Sequence, residues 1–152
     1  MSKNARKKSP HRFGRTPLTK TMLLPPTPET LREVSLRYHL ALAAWRNGTG
    51  NRALLHELFV ALYLSYFLGE AGFGAETREF YQGAQQALDR CIARAAIENN
   101  WGIEPEDSVV LEQLLRLYDQ QLAAAPTYVA DGARKRLLRF ADSDESLRSG
   151  QR

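Results

Sequence analysis

The chain has 152 residues, of which 43% are apolar and 25% are charged. This composition is typical of an ordinary globular domain and excludes a disordered or fibrous protein. The chain has a single cysteine, Cys91, so a disulfide within the chain is excluded. The sequence contains neither a run of 18 apolar residues nor an apolar N-terminal segment, so we expect neither membrane spanning nor export. We therefore expect one compact cytoplasmic domain with no membrane contact.

The positive charge is concentrated at the N-terminus. The formal net charge is +4, but residues 1–20 hold seven cations and no acidic residue, so the rest of the chain carries −3. These cations are Lys3, Arg6, Lys7, Lys8, Arg12, Arg15 and Lys20. The segment contains few apolar groups, so it cannot bury enough surface to offset the entropy lost on ordering. We predict that residues 1–26 form a flexible basic tail.

The first helix is predicted to begin after Thr27, which fits an N-cap and is followed by a proline. It would run to about Arg46, because residues 47–50 (NGTG) are a stop signal. Leu36 and Leu40 lie on the side opposite its apolar face. We therefore expect this helix to contact two neighbours.

The second helix is predicted from Asn51 or Arg52 to about Leu68, and its residues 58–68 are apolar all round. A helix of this kind lies at the centre of an assembly of helices. The pattern leaves two alternatives, the core helix of a bundle or the seam between copies of the chain. If the helix is completed by a partner, the contact residues would be Phe59, Tyr63, Tyr66 and Phe67.

Three further helices follow. Residues 75–99 form the clearest amphipathic pattern, residues 104–125 form a fourth helix that Pro126 stops, and residues 130–141 form a short fifth helix. No segment shows the period-two alternation of a strand.

These elements predict an all-α fold. We expect an antiparallel four-helix bundle-like domain over residues 27–141 that includes the short fifth C-terminal helix, followed by a polar tail at 142–152.

Few residues indicate catalysis or metal binding. His56 and Glu57 begin a zinc-protease motif, but its second histidine would stand where Val60 is, so we expect a histidine at the edge of the core. Cys91 falls on an apolar face, where a thiol acts as a small hydrophobe of raised pKa. With three histidines and one cysteine, we expect no metal, no cofactor and no enzymatic activity.

One edge of the first helix carries His39 with Arg32, Ser35 and Arg46. Such an edge could receive a phosphate or a carboxylate. A solvated polar face has the same pattern, and both interpretations stay open.

The basic tail is the best functional signal, because clustered cations release counterions from a nucleic acid and bind it without regard to sequence. A second cluster on the fifth helix comprises Arg134, Lys135, Arg136 and Arg139. It could extend the contact with DNA or RNA, or pair with neighbouring acids such as Asp131 and Asp142. The tail could also serve only solubility. A helix-turn-helix between the third and fourth helices is rejected, because the fourth opens with Glu104, Glu106 and Asp107.

Three segments carry a family resemblance: residues 35–42 (SLRYHLAL), 63–72 (YLSYFLGEAG) and 117–123 (LYDQQLA). Together they resemble small proteobacterial proteins labelled Fis-family transcriptional regulators, over most of residues 20–140. The resemblance implies a bacterial regulatory context. The Fis fold ends in a helix-turn-helix with a basic recognition helix, and this chain departs from it there, so no DNA-reading residue is carried over.

The sequence thus predicts a small non-enzymatic bacterial regulatory or binding module whose tail contacts nucleic-acid backbone. The alternative is a protein-interaction or homodimeric module without nucleic-acid binding, assembled through the second helix.

Overall fold

The computed structural model describes the backbone of residues 17–149 and the side chains of residues 17–143. The described part is helical throughout and contains no strand. A 3-10 helix, Lys20–Leu23, precedes five α-helices: α1 (Pro28–Arg46), α2 (Arg52–Glu70), α3 (Arg78–Glu98), α4 (Pro105–Ala124) and α5 (Thr127–Ser149). The all-α bundle predicted from the sequence is confirmed.

Side-chain caps set the starts of the first three helices. Thr27 accepts a hydrogen bond from the backbone N–H of Thr30 at 3.3 Å, and Asn51 accepts one from Leu54 at 2.9 Å. These caps confirm the predicted starts of α1 and α2. α3 begins three residues later than predicted, because its cap is Thr77.

α2 is the central helix and packs against α1, α3, α4 and α5. Eight of its residues are buried, among them Leu58, Ala61 and Leu68. It is the one helix in the described residues with the length and composition to cross a membrane, but half of its apolar window is buried inside the bundle. Its contacts are those of a core helix.

α1 does contact two neighbours, α2 and α4, as predicted. The residues responsible differ from those expected. Tyr38, Leu42 and Trp45 are buried, whereas Leu36 is 59% exposed and Leu40 is 57% exposed. The expectation that these two leucines contact a neighbour is wrong, because α2 and α4 both pack on the same side of α1.

A buried polar cluster links α2, α4 and the turn before α3. Gln121 is 1% exposed, and its Nε2 donates to the carbonyls of Ser65 at 3.0 Å and Gly74 at 3.1 Å. Ser65 Oγ donates to Gln121 Oε1 at 2.7 Å, and Tyr81 donates to the Ser65 carbonyl at 3.3 Å. Satisfied buried polar groups favour one arrangement of the helices over others.

α5 is longer than predicted. It spans Thr127–Ser149, 23 residues, instead of residues 130–141, and it includes most of the segment predicted as a polar tail. It starts early because the Pro126 carbonyl accepts the N–H groups of Val129 and Ala130. Beyond the packed part, each added helical residue gains one hydrogen bond, so apolar periodicity is not needed for the helix to continue.

The last residues of the predicted basic tail belong to the fold, because the 3-10 helix packs on α5. The prediction of a flexible tail otherwise falls on residues 1–16, which lie outside the described residues.

Candidate functional site

The segment that follows the N-terminal cations is attached to the bundle at Thr127, the first residue of α5. Lys3, Arg6, Lys7, Lys8, Arg12 and Arg15 lie outside the described residues. Lys20 is exposed in the 3-10 helix. Next to this helix, the Leu24 carbonyl accepts hydrogen bonds from the backbone N–H and the hydroxyl of Thr127, both at 2.8 Å. The described residues that follow the cationic segment therefore lie beside the helix that carries the second cationic cluster.

Two of the four cations predicted on α5 are held by acids of the same chain. Arg134 forms an ion pair with Asp131 at 2.9 Å, as the sequence alternative anticipated. Arg136 pairs with Glu70 of α2, and its guanidinium lies 4.3 Å from the centroid of the Phe67 ring. Arg136 therefore joins α5 to α2.

The other two cations have no acidic partner among the side chains that the structure describes. Lys135 and Arg139 are exposed and form no ion pair with any residue between 17 and 143. Their spacing of four residues places them on the same side of α5. Together they form the free cationic face of α5.

The four aromatic residues predicted to meet a partner do not form one exposed set. Phe67 is 7% exposed, under Arg136, whereas Tyr66 is 37% exposed. Phe59 and Tyr63 are half-buried. The prediction of a partner surface that includes Phe67 is wrong, because the bundle itself covers that ring.

Three of these rings and one further ring, Phe140, lie next to one another and form what we call the aromatic row: Phe140, Tyr63, Phe67 and Tyr66. Successive ring centroids are 5.5, 6.5 and 5.8 Å apart. Phe140 belongs to α5 and is 48% exposed. The sequence analysis missed it, although it stands four residues after Arg136 and hence on the same side of α5. The aromatic row runs beside the cations of α5.

Tyr66 packs against two other rings. It makes edge contacts with Phe67, with centroids 5.8 Å apart, and with Tyr81, with centroids 5.4 Å apart and planes at 85°. The nearby Glu70 carboxylate raises the pKa of Tyr66, and Tyr66 and Arg136 lower the pKa of Glu70. Because its ring contacts two others, Tyr66 has a defined position although it is partly exposed.

Two concave surfaces adjoin the aromatic row. The first, here called the α2–α3 cleft, has a volume of about 450 Å³. Its polar lining is Tyr63, Tyr66, Glu76, Arg78, Tyr81, Gln82 and Gln85. The second, here called the α1–α2–α5 groove, has a volume of about 550 Å³, and Arg37, His56, Phe59, Leu138 and Phe140 are among its lining residues. Both volumes lie in the range of small-molecule sites.

His56 lies at the edge of this groove, on the side of α2 shared with Val60 and Tyr63. It is exposed, on the side of the helix that the sequence analysis predicts.

The predicted polar edge of α1 receives a carboxylate from its own chain. Asp119 of α4 accepts a hydrogen bond from Ser35 at 3.1 Å and lies 2.9 Å from His39 Nε2, through the same oxygen. Arg46 lies apart from them and pairs with Glu112 at 2.5 Å. In a nucleophilic triad the serine contacts the histidine, whereas here both contact the aspartate.

Two of the carboxylates that argued against a helix-turn-helix, Glu104 and Asp107, pair with arginines of α3. Asp107 is 6% exposed and accepts three hydrogen bonds from Arg90, the shortest at 2.6 Å. Glu104 pairs with Arg94 at 3.2 Å. These pairs join the start of α4 to α3.

Cys91 is 1% exposed, and burial raises the pKa of its thiol to about 11. The prediction of a small buried hydrophobe is confirmed. Among the residues whose side chains are described, no three His, Cys, Asp or Glu side chains come together as a metal site would require.

No family model, no curated protein and no solved structure matches this chain. The resemblance to Fis-labelled regulators therefore stays a prediction.

Proposed function

We propose that this protein is a small non-enzymatic binding module, of bacterial and cytoplasmic regulatory type, that holds the phosphate backbone of a nucleic acid. The contacts are its N-terminal cations and the free cationic face of α5, Lys135 and Arg139. The observation that carries the proposal is the attachment of Leu24 to Thr127, since it joins the segment that follows the N-terminal cations to the helix that carries the second set.

The distances suit a shared ligand. At a rise of about 1.5 Å per residue, Lys135 and Arg139 lie about 12 and 18 Å along α5 from Thr127. An extended chain of sixteen residues spans up to about 50 Å. The N-terminal cations are therefore able to contact the same stretch of backbone as the α5 face.

Salt dependence measures how many cations take part. Each phosphate neutralised on duplex DNA contributes about −0.9 to the slope of log affinity against log salt. Residues 2–16 contain six cations, so their deletion is expected to reduce the slope by up to about 5. Replacing Lys135 and Arg139 together by alanine is expected to reduce it by up to about 2.

The test is fluorescence anisotropy with a labelled 20-nucleotide strand and with its duplex, between about 50 and 200 mM salt, the range over which such contacts weaken. The matched control is Arg116→Ala, which removes an exposed arginine from α4 instead of α5. Equal affinities and slopes for the full chain and the deletion variant, or no binding by the full chain, would refute the proposal.

A second candidate function is the homodimer that the sequence analysis left open. It is favoured by the α1–α2–α5 groove, at which Leu138 is 65% exposed and Phe140 is 48% exposed. Sedimentation at several concentrations tests it, with Leu138→Glu as the variant that would keep the chain monomeric. A wild-type monomer at all concentrations removes this candidate.

A further inference from the structure

We infer that the nucleic acid bound by this protein is single-stranded, with one base stacked on Tyr66 in the α2–α3 cleft. The inference rests on the proposed function and adds the class of strand and the residue that distinguishes it. Aromatic rings and cations lie next to one another on one side of the molecule.

The aromatic row is in direct contact with one cation of α5, Arg136. Arg136 lies over the Phe67 ring and pairs with Glu70, and the Phe67 ring contacts that of Tyr66. Phe140 of α5 lies against Tyr63. A strand whose phosphates follow the free cationic face of α5 therefore has rings beside it. Proteins that hold single strands combine cations for the backbone with aromatic rings for the bases.

The cleft offers polar groups for the edge of a base. Gln82 and Gln85 are exposed, and their spacing of three residues places them on one face of α3. Each amide both donates and accepts hydrogen bonds, so the pair suits any base. Arg78 and Glu76 are the charged residues that line the cleft. The arginine favours a phosphate there and the glutamate opposes it.

The position of Tyr66 is set before any ligand arrives. Its ring makes edge contacts with Phe67 and Tyr81, with centroids 5.8 and 5.4 Å apart. A ring that is already ordered loses little conformational entropy when a base stacks on it.

These features favour a single strand over a duplex. In a duplex the bases stack on one another and present only their edges in the grooves. A tyrosine contacts the face of a base only when that base leaves the stack, which costs least in a single strand. The cleft volume of about 450 Å³ leaves room for such a base.

The experiment compares three labelled probes at one salt concentration: a 20-nucleotide single strand, its duplex, and inorganic polyphosphate, which has the charge but no bases. The protein is the full chain and three variants, Tyr66→Ala, Tyr66→Phe and Tyr128→Ala. Tyr128 is the matched control, because it is a tyrosine of α5 that is 40% exposed and does not line the cleft.

We expect the wild type to bind the single strand more tightly than the duplex. Tyr66→Ala should weaken binding to the single strand by between about 5-fold and 150-fold, the range for loss of one stacked base, and leave polyphosphate binding unchanged. Tyr66→Phe should retain most of the affinity because it retains the ring, and Tyr128→Ala should match the wild type. Circular dichroism confirms that each variant is folded.

A further variant, Glu76→Gln, removes the carboxylate that lines the cleft and is expected to tighten binding to the single strand. Equal affinity of wild type and Tyr66→Ala for the single strand, or equal affinity of the wild type for strand and duplex, would overturn the inference while leaving the proposed function intact. Failure of the wild type to bind any of the three probes would overturn both.

Discussion

Replacing the buried Gln121 by glutamate tests the buried polar cluster, because the substitution turns a hydrogen-bond donor into an acceptor. Gln121→Glu keeps the shape of the side chain but replaces the Nε2 group, which donates to the carbonyls of Ser65 and Gly74 at 3.0 and 3.1 Å. An ionised carboxylate has no donor and would point an oxygen at both carbonyls. The new carboxyl group therefore stays protonated in the folded protein.

The cost follows from the pH dependence of that proton. Burial at 1% exposure raises the folded-state pKa of the new carboxyl above the unfolded value of about 4.3. Stability is then retained below pH 4 and lost as the pH rises, by about 1.4 kcal/mol per pH unit. With a folded-state pKa at or above 7, the variant loses about 3 to 4 kcal/mol more at pH 7 than at pH 4. One hydrogen bond, worth about 1 kcal/mol, is lost at both pH values.

Urea unfolding followed by circular dichroism at pH 4 and pH 7 measures this difference relative to the wild type. The urea midpoint should fall between about 1 and 3 M further at pH 7 than at pH 4. The control is Gln120→Glu, the neighbouring exposed glutamine, which should change stability by less than about 0.5 kcal/mol at either pH. The reasoning fails if the two variants behave alike, or if the loss in Gln121→Glu does not depend on pH.

Three further predictions concern packing, acid stability and thiol reactivity. Gly50→Ala should destabilise the fold by about 1 to 3 kcal/mol, because the added Cβ would lie 2.4 Å from a tryptophan ring of α1. Gly83→Ala has free space around the added Cβ and should stabilise α3 by about 0.5 to 1 kcal/mol. Thermal unfolding of the two variants measures both effects. The hydrogen bond from Arg46 lowers the pKa of Glu112, so its stabilising effect is present above the unfolded-state pKa and is lost as the pH falls through the folded-state value. Arg46→Met should therefore make the urea midpoint less sensitive to pH between about pH 3 and 6, and an unchanged profile contradicts this assignment. Cys91 should react with a thiol reagent only as fast as the protein opens, so equal labelling rates in buffer and in urea would be inconsistent with its burial.

The helices could be located from the sequence wherever a local signal marks their ends. Thr27 and Asn51 are caps that depend only on residues three positions away. The sequence predicts Thr27 as a cap and the start of α2 at Asn51 or Arg52, without assigning a cap to α2. The early start of α5 had no such signal, because Pro126 acts there through its carbonyl oxygen while its ring is the usual mark of a helix end.

The candidate site was only partly accessible to sequence reasoning. The cations of α5 were identified, but their separation into paired and free residues was not, since the partner of Arg136 is Glu70, 66 positions away. The same holds for the α2–α3 cleft. The sequence analysis singles out its aromatic rings on α2 but not Gln82 and Gln85 on α3.

The sequence by itself determined what depends on neighbours within a turn or two: the helical class, most helix ends, the apolar centre in α2 and the concentration of charge before residue 20. The tertiary structure alone decided which polar groups are satisfied within the chain and which stay free. That outcome depends on the distances between helices. Asp119 of α4 lies close enough to pair with His39 of α1, and Glu70 of α2 lies close enough to pair with Arg136 of α5. Lys135 has no such partner among the described residues. A helical pattern specifies which face a residue occupies, but only packing determines what lies opposite that face.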